Sequence, residues 1–448
     1  MKWVILACLA VGALFVALLL RTNPRLLKAA AFWLGVLPFV EVYFHLFAAP
    51  IAWPQWEGIV RGIEISASDA LAFAVLVTSP KAKSPRGLRI AFWLVMLAYA
   101  VSTLANGVRI ESLFFGWEIV RALLVYFALL RATAADGDVP AYVLTGLIAG
   151  LLTQTVVVLS QFAAGVQQAP GWFDHQNILG FTTHFVVYSA FAAFLGGYYS
   201  KRTMIAVLGG IIIAFTGGSR ATIGLMVAGL GVTAAFSMWH HRTGRKMAVV
   251  GAALVSIALV SPVLYLAVQR RSVEQREGSN AERELMKSAA SMIVSDYPFG
   301  VGANRYVVVA NIGGYSERAG VPWNRDNRAA PVHNSYYLAA AEMGWLGLAA
   351  LMALLAAGLS AAVRVLRRTP SGFSGELAAG TATAMVMIAI HAYYEWIFFA
   401  HSSLYFLAIT LGLVAGLAAQ LRRRTRKVIS RPHAPKGAAD PAPAAAIG

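Results

Sequence analysis

The sequence predicts an all-α polytopic membrane protein with about 12 to 13 transmembrane helices and one large loop between the late helices. Of its 448 residues, 58% are hydrophobic and only 13% are charged, whereas soluble domains carry about 25% charged residues. The apolar residues also fall in blocks of roughly 20, the length that spans a bilayer as a helix. Because lipid offers no hydrogen-bond partners to the backbone, such blocks are expected to be helical.

Thirteen apolar segments are candidates for membrane spans. Segment 203–217 is short, and segment 30–48 contains Glu41 and His45. With all thirteen spans the N-terminus lies outside and the C-terminus inside, whereas with twelve the N-terminus lies in the cytoplasm. The predicted spans are 3–20, 30–48, 64–79, 90–105, 112–130, 140–163, 177–198, 203–217, 219–239, 247–268, 334–357, 377–400 and 402–420.

Basic residues give the chain a formal net charge of +17, and their positions predict the orientation of the helices. They cluster in short loops at alternate ends of the spans, which the positive-inside rule assigns to the cytoplasm. Topology therefore explains the charge better than nucleic-acid binding does, since no basic soluble domain is present to bind nucleic acid. The clusters include Arg21, Arg25 and Lys28, then Lys81, Lys83, Arg86 and Arg89, and later Arg422, Arg423, Arg424, Arg426 and Lys427.

This pattern divides the chain into four regions. The loop at 269–333 falls on the outer side and is large enough to shape a site. Within it, segment 281–295 has the apolar spacing of an amphipathic helix, which Pro298 and Gly300 are expected to end. The regions are N-terminal transmembrane helices at 1–268, the loop domain at 269–333, C-terminal transmembrane helices at 334–420, and a cytoplasmic basic, Pro- and Ala-rich tail at 421–448, expected to be disordered after Lys427.

His333 is the first candidate for chemistry, because it lies where the outer loop meets the next membrane helix. A lone histidine is often structural or solvated. A histidine that opens a helix at the membrane surface beside an Arg-rich loop can also serve as general base for a hydroxyl group. Asn334 and Tyr336, which follow it, are candidates for contact with the substrate.

Arginines on the outer side are candidates for binding an anion. Arg220 lies in Thr216-Gly-Gly-Ser-Arg220 at the outer boundary of two helices, where it either extends to lipid headgroups or holds an anion; the positive-inside rule does not account for it. Arg283 and Arg305 bracket Pro298-Phe-Gly-Val-Gly302. Paired guanidinium groups suit phosphate or pyrophosphate, although both arginines can equally form local salt bridges.

A short outer loop carries Trp172-Phe-Asp-His-Gln-Asn177. Trp172 and His175 could stack on and hydrogen-bond a sugar. The same residues also fit an interfacial aromatic belt with a helix cap at Asp174 or Asn177.

Three charged residues inside predicted spans are set aside. Glu118, Arg121 and Glu395 could indicate an ion pathway, but Glu118 and Arg121 are three residues apart and can neutralise each other. No metal site is predicted, because the outer loops have no group of His, Cys, Asp and Glu at ligand spacing; Asp174 and His175 are adjacent but have no further ligand nearby.

Three motifs together resemble the bacterial O-antigen ligase and O-antigen polymerase superfamily. They are Gly218-Ser-Arg-Ala-Thr-Ile-Gly224, then Arg283-Glu-Leu-Met with Asp296-Tyr-Pro-Phe-Gly-Val-Gly302, and finally His333-Asn334 with Gly344 and Gly347. The resemblance covers roughly residues 205 to 356. The family pattern often has a bulky aromatic residue where this chain has Met286.

The resemblance implies a GT-C-type glycosyltransferase of the bacterial inner membrane whose active site faces the periplasm. Such enzymes move a saccharide from an undecaprenyl-pyrophosphate carrier to an acceptor hydroxyl on lipid A-core or on a growing polysaccharide repeat. They are metal-independent and need no cofactor. The matching catalytic positions are His333, Arg220 and Arg283: the histidine would take the proton of the hydroxyl, and the arginines would stabilise the pyrophosphate leaving group.

Two other classes of function are kept as alternatives. A lipid-linked oligosaccharide flippase would want a cationic central cavity and two related halves, and the sequence has no internal repeat. A membrane component of a polysaccharide export complex would not need His333. Within the transferase interpretation, the shared motifs fit ligase and polymerase alike, and they fix neither the sugar, the acceptor nor the oligomeric state.

Overall fold

The computed structural model describes residues 2–253 and 273–429 and is built almost entirely of helices. Its helices are α1 (Lys2–Thr22), α2 (Leu26–Val40), α3 (Ala67–Thr78), α4 (Arg86–Ala105), α5 (Ile110–Ala135), α6 (Val139–Ala163), α7 (Gln176–Leu195), α8 (Ser200–Gly217), α9 (Arg220–His240), α10 (Val273–Asp296), α11 (Tyr306–Ile312), α12 (Tyr315–Arg318), α13 (Arg325–Arg328), α14 (Ser335–Arg368), α15 (Phe373–Tyr394) and α16 (His401–Ile429).

Ten of the described helices are long and apolar enough to cross a membrane, namely α1, α4 to α9 and α14 to α16. This confirms the predicted all-α polytopic membrane protein. The shorter apolar helices α2 and α3 occupy the predicted spans 30–48 and 64–79. Most of the predicted span 247–268 lies outside the described residues, as does the predicted disordered tail from residue 430 onward.

A small antiparallel hairpin was not expected from the sequence. Helix α2 ends at Val40, eight residues before the end of its predicted span, and the chain then turns through His45, whose φ is +51°. Strand β1 (Phe47–Ala52) pairs with strand β2 (Gly62–Ser66), with Phe47 opposite Ser66. Ser66 caps α3 through a capping box with Asp69, so the hairpin leads directly into the membrane helices.

The centre of the bundle is formed by α7, α15 and α16, which are buried on most of their surface. Helix α7 packs against α15 and α8, and α16 packs against α5. Small residues let these helices approach closely. At Gly380, for example, a Cβ atom would lie 2.4 Å from the Cα atom of Ser189.

The loop region before α14 packs onto the membrane helices. Helix α10 contains the predicted amphipathic segment 281–295 and buries Met286, Ala289 and Ile293, and it ends at Asp296, just before Pro298. The loop after it lies against a kink in α14 at Gly344, whose φ of +68° suits glycine. There Trp345 N donates to Pro298 O at 3.2 Å. The Pro298 segment and Gly344 therefore fix the loop on the bundle.

Candidate functional site

The start of α14 is hydrogen-bonded to the end of α15. The side chain of Asn334 caps α14 by accepting hydrogen bonds from the backbone N–H groups of Tyr336 and Tyr337, at 2.9 and 3.1 Å. Its Nδ2 donates to Tyr393 O at 2.9 Å. The Ser335 hydroxyl donates to the backbone oxygen of Glu395 at 2.6 Å. Asn334 is thus a buried structural residue. It holds His333, the residue before it, close to Glu395, the residue that follows α15.

His333 and Glu395 form a hydrogen-bonded pair at this junction. Nδ1 of His333 lies 2.9 Å from Oε2 of Glu395, and the two side chains are 20% and 3% exposed. A carboxylate accepts hydrogen bonds only, so it holds the imidazole with the proton on Nδ1. In a neutral imidazole this leaves the lone pair on Nε2, which has no hydrogen-bond partner among the described residues.

Two further donors hold the other oxygen of Glu395. Arg283 on α10 donates from Nη2 to Oε1 at 2.9 Å and from Nη1 to Tyr394 O at 3.1 Å. Asn177 on α7 donates from Nδ2 to the same Oε1 at 2.8 Å. We call His333, Glu395, Arg283 and Asn177 the His333 cluster. It draws one residue from each of four separate segments of the chain.

The pKa of Glu395 reflects this arrangement. Burial by itself would raise that pKa, but the hydrogen bond from His333 and the charges of His333 and Arg283 lower it to about 2. Glu395 is therefore an anion at any physiological pH. It acts as a fixed negative charge that orients the imidazole rather than as a group that exchanges protons.

Arg220 lies near this cluster at the beginning of α9. Ser219 caps that helix by accepting from Thr222 N, and the exposed Arg220 side chain places Nη2 3.5 Å from Oδ1 of Asn280. Asn280 is three residues before Arg283 on α10, so the two lie on the same face of that helix. The structure therefore brings the two predicted arginines to one side of the site.

The structure does not bring all of the remaining predicted site residues to the His333 cluster. His175 caps α7 through Asn177 N and lies beside the cluster. Burial lowers the pKa of His175, and the charge of Glu395 opposes this shift. Arg305 contacts Glu111, at 3.3 Å, rather than Arg283. The Tyr336 hydroxyl donates to Ala389 O, and Trp172 stacks on Tyr43 with ring centroids 4.2 Å apart. The substrate contacts predicted for Arg305, Tyr336 and Trp172 remain predictions.

Glu395 and Asn177 are the residues that the sequence analysis missed. The sequence places Glu395 as one of three charges within predicted spans, but α15 ends at Tyr394 and Glu395 is the C-cap residue of that helix. A lone carboxylate at the end of an apolar segment was the available signal. Its partners were hidden, because they lie 62, 112 and 218 residues away in the chain.

A polar cavity of about 600 Å³ borders the cluster and extends into the bundle. Its lining includes His175, Pro331 and Trp396, which follows Glu395. Arg121 and His401 also line it. We call it the central cavity. Within the described residues, no group of three or more His, Cys, Asp and Glu side chains is arranged to hold a metal ion.

Comparison with known protein families confirms the resemblance noted from the motifs. Residues 204–352, about a third of the chain, match the family model described as O-Antigen ligase. The matched segment contains Arg220, Arg283 and His333, while Asn177 and Glu395 lie outside it. No curated protein matches the chain in sequence.

Proposed function

With an O-antigen ligase segment and a multi-pass helical bundle as premises, we propose that this protein transfers a saccharide from an undecaprenyl-pyrophosphate carrier to an acceptor hydroxyl. The general assignment to O-antigen ligase or polymerase-like glycosyltransferases rests on the family match. The observation that carries the proposed chemistry is the His333–Glu395 pair beside Arg283 and Arg220. The proposed location is the periplasmic face of the bacterial inner membrane.

His333 is proposed as the general base. The acceptor hydroxyl gives its proton to Nε2 of His333 as its oxygen bonds to the anomeric carbon of the donor sugar. The bond between that carbon and the pyrophosphate oxygen breaks, and its electron pair leaves with undecaprenyl pyrophosphate. Glu395 stabilises the imidazolium that forms, because it is a buried anion 2.9 Å from Nδ1.

Arg283 and Arg220 are proposed to stabilise the leaving pyrophosphate. Charge develops on the pyrophosphate as the glycosidic bond breaks, and fixed cations near it lower the barrier. Arg283 is held in place by Glu395 and by the backbone of Tyr394, so it is oriented before the substrate arrives. Arg220 is exposed at the start of α9 and contacts Asn280 on α10, on the same side of the site as Arg283.

The acceptor is lipid A-core for a ligase and another carrier-linked repeat for a polymerase. Both reactions use the same groups, since both acceptors present a hydroxyl. A flippase would form no new glycosidic bond. Transfer of labelled saccharide by the purified protein in lipid nanodiscs therefore tests the proposal directly. Lipid-linked donor is supplied with lipid A-core in one reaction and without it in another, and the absence of any new glycosidic product in both reactions would refute it.

The proposed side of the membrane has its own test. A reporter enzyme fused at Gly314, between α11 and α12, should be active only if it reaches the periplasm. A second fusion after Lys427 should show the opposite pattern. An inactive Gly314 fusion together with an active fusion after Lys427 would place the His333 cluster on the wrong side for this reaction.

A further inference from the structure

The lining of the central cavity includes part of a buried network of charges that the proposed chemistry does not use. Arg121 is only 1% exposed, and it donates from Nε to Asp69 at 2.8 Å and from Nη1 to Glu118 at 2.6 Å. His401 bridges Glu118 and Glu41, with nitrogen–oxygen distances of 2.7 and 3.3 Å. Ionisable groups within membrane segments are costly and usually serve a function.

Two residues of this network that line the cavity have unused hydrogen-bonding capacity. Arg121 lines the cavity, and its Nη2 atom has no hydrogen-bond partner among the described residues. Glu64 lies 3.7 Å from Arg121, beyond hydrogen-bond distance, and its carboxylate oxygens also lack a hydrogen-bond partner within the described part of the chain. Buried donors without partners are rare in proteins, so a ligand that both donates and accepts would complete this site.

The charged residues that line the central cavity limit the class of ligand that it can bind. Among the described residues, five carboxylates line the cavity, against two guanidinium groups and two histidines. This balance disfavours pyrophosphate, because like charges in one site repel. It suits hydroxyl groups, which can donate to carboxylates and accept from Arg121. Trp396 and Ile178 add apolar surface to the wall, and the volume of about 600 Å³ lies within the usual range for small-molecule sites.

We propose that the central cavity binds a hydroxyl-rich saccharide, with Arg121 and Glu64 as its polar contacts and Trp396 against the face of a sugar ring. The inference rests on the proposed transferase function and adds to it a site for the sugar, separate from the arginines proposed for the pyrophosphate. The saccharide belongs to either the donor or the acceptor. Because the cavity borders His175 and Pro331, a sugar bound there would extend toward His333.

Protection of an introduced thiol tests saccharide binding without relying on transfer. Cys8 is the single cysteine of the chain, so Cys8→Ala gives a background in which Ile59→Cys reports on the cavity wall. Ile312→Cys is the matched control, because Ile312 is 84% exposed on α11. If Ile59→Cys does not react with the thiol reagent, Val42→Cys reports on the same cavity.

Three probes are compared: the saccharide released by mild acid from the host's lipid-linked donor, the lipid A-core oligosaccharide without acyl chains, and undecaprenyl pyrophosphate without sugar. We expect one of the two saccharides to slow labelling in the cavity and not at Ile312→Cys, and the one that does so identifies the source of the sugar. The proposal is overturned if neither saccharide protects, or if undecaprenyl pyrophosphate alone protects as well as the sugars do.

Glu64→Gln sharpens the test. This change removes a charged hydrogen-bond acceptor. Because a hydrogen bond to a charged group contributes substantially to binding, the saccharide concentration that gives half-protection of the thiol should rise about tenfold. Glu284→Gln is the matched control, because Glu284 is an exposed residue on α10 that pairs with Lys287. Equal protection of the Ile59→Cys thiol with and without Glu64→Gln would overturn the assigned contact. Protection without any transfer would support the saccharide site and refute the transferase function. Transfer without protection would support the transferase function and refute the saccharide site.

Discussion

Two histidines in this protein each hydrogen-bond a buried glutamate, yet their remaining contacts differ. His333 lies 2.9 Å from Glu395 where the start of α14 meets the end of α15. His401 lies 2.7 Å from Glu118 at the start of α16. The pairs have similar exposure, with the histidines 20% and 24% exposed and both glutamates 3%. Burial and pairing with a carboxylate therefore do not distinguish their roles.

The second ring nitrogen does distinguish them. Nε2 of His401 faces Glu41 at 3.3 Å, so both nitrogens of this ring donate to carboxylates and the ring is held as a cation. Nε2 of His333 has no partner among the described residues and is left to accept a proton. The contrast indicates that His333 can act as a base, whereas His401 is a fixed positive charge in the lining of the central cavity.

The largest expected effect on rate belongs to His333→Ala. General-base assistance contributes about 10²- to 10⁴-fold, so transfer should fall by that order while the protein still inserts and folds. Binding of lipid-linked donor should change much less, because the arginines hold the pyrophosphate. Both quantities are measured on the same purified variant. Transfer at the wild-type rate would place the base elsewhere, and joint loss of binding and transfer would assign His333 to the donor site.

Glu395→Gln should reduce transfer by about 10²- to 10³-fold, although it changes few atoms. Arg283 and Asn177 both donate to one oxygen of Glu395, so the amide oxygen of glutamine will face them. Its NH₂ group then faces Nδ1 of His333 and forces the proton onto Nε2, where the base is needed. Single-turnover transfer measures the effect. Retention of more than about half the wild-type rate would contradict this tautomer argument.

Comparing the same variant with wild type also tests how the stability of the fold depends on pH. The pKa of Glu395 is lowered to about 2, below the usual value of about 4.3 for a glutamate in an unfolded chain. The stabilising charge is therefore fully present above about pH 4.3 and is lost as the pH falls through about 2. The stabilisation of wild type over Glu395→Gln, measured as a difference in melting temperature, should not shrink from pH 8 to pH 5. A difference that shrinks within that range would contradict the lowered pKa.

Arg283→Lys should lower transfer by roughly 10- to 100-fold, the range expected when hydrogen bonds to charged groups are lost. Lysine keeps the charge but cannot contact both Glu395 and Tyr394 O as the guanidinium does. Arg220→Lys should reduce transfer as well, and donor affinity should fall in both variants. Arg318→Lys is the matched control, since Arg318 is 54% exposed in the same loop region. Wild-type activity in both test variants would remove pyrophosphate binding from these arginines.

The contrast between the two histidines also shows what the sequence could predict. Composition and block length were enough for the membrane helices, and apolar spacing was enough for the amphipathic part of α10. The motifs identified Arg220, Arg283 and His333, which the fold brings to one end of the bundle. These features depend on local patterns, which a single sequence contains.

The missed features depend on long-range contacts. Glu395 was interpreted as one charge within span 377–400, because its three partners come from other parts of the chain. The hairpin of β1 and β2 was missed because its apolar residues merge with the neighbouring apolar segments. Glu118 and Arg121 do neutralise each other as predicted, but their further contacts were not visible from their spacing.

His401→Gln should have a smaller effect on the catalytic rate than any change in the His333 cluster. Glutamine removes the cation between Glu41 and Glu118, and breaking a buried ion pair typically costs about 3–5 kcal/mol. We therefore expect a lower melting temperature and a higher KM for the saccharide, with kcat close to wild type. Purified protein is measured for melting and for steady-state transfer. A fall in kcat as large as that of His333→Ala would assign proton transfer to His401 too.

Removal of metal should have the smallest effect of all. Three of the buried carboxylates already have partners: Glu395 holds His333 and Arg283, Asp69 holds Arg121, and Glu118 holds Arg121 and His401. A divalent cation would need several of these oxygens at once, and within the described residues no group of three or more ligands is arranged for it. The guanidinium groups are positioned to supply the positive charge that a metal would otherwise provide for a pyrophosphate. Transfer by the purified protein should therefore proceed at an unchanged rate after incubation with EDTA and desalting. Inhibition that added Mg²⁺ or Mn²⁺ reverses would show that the leaving group needs a cation besides Arg220 and Arg283.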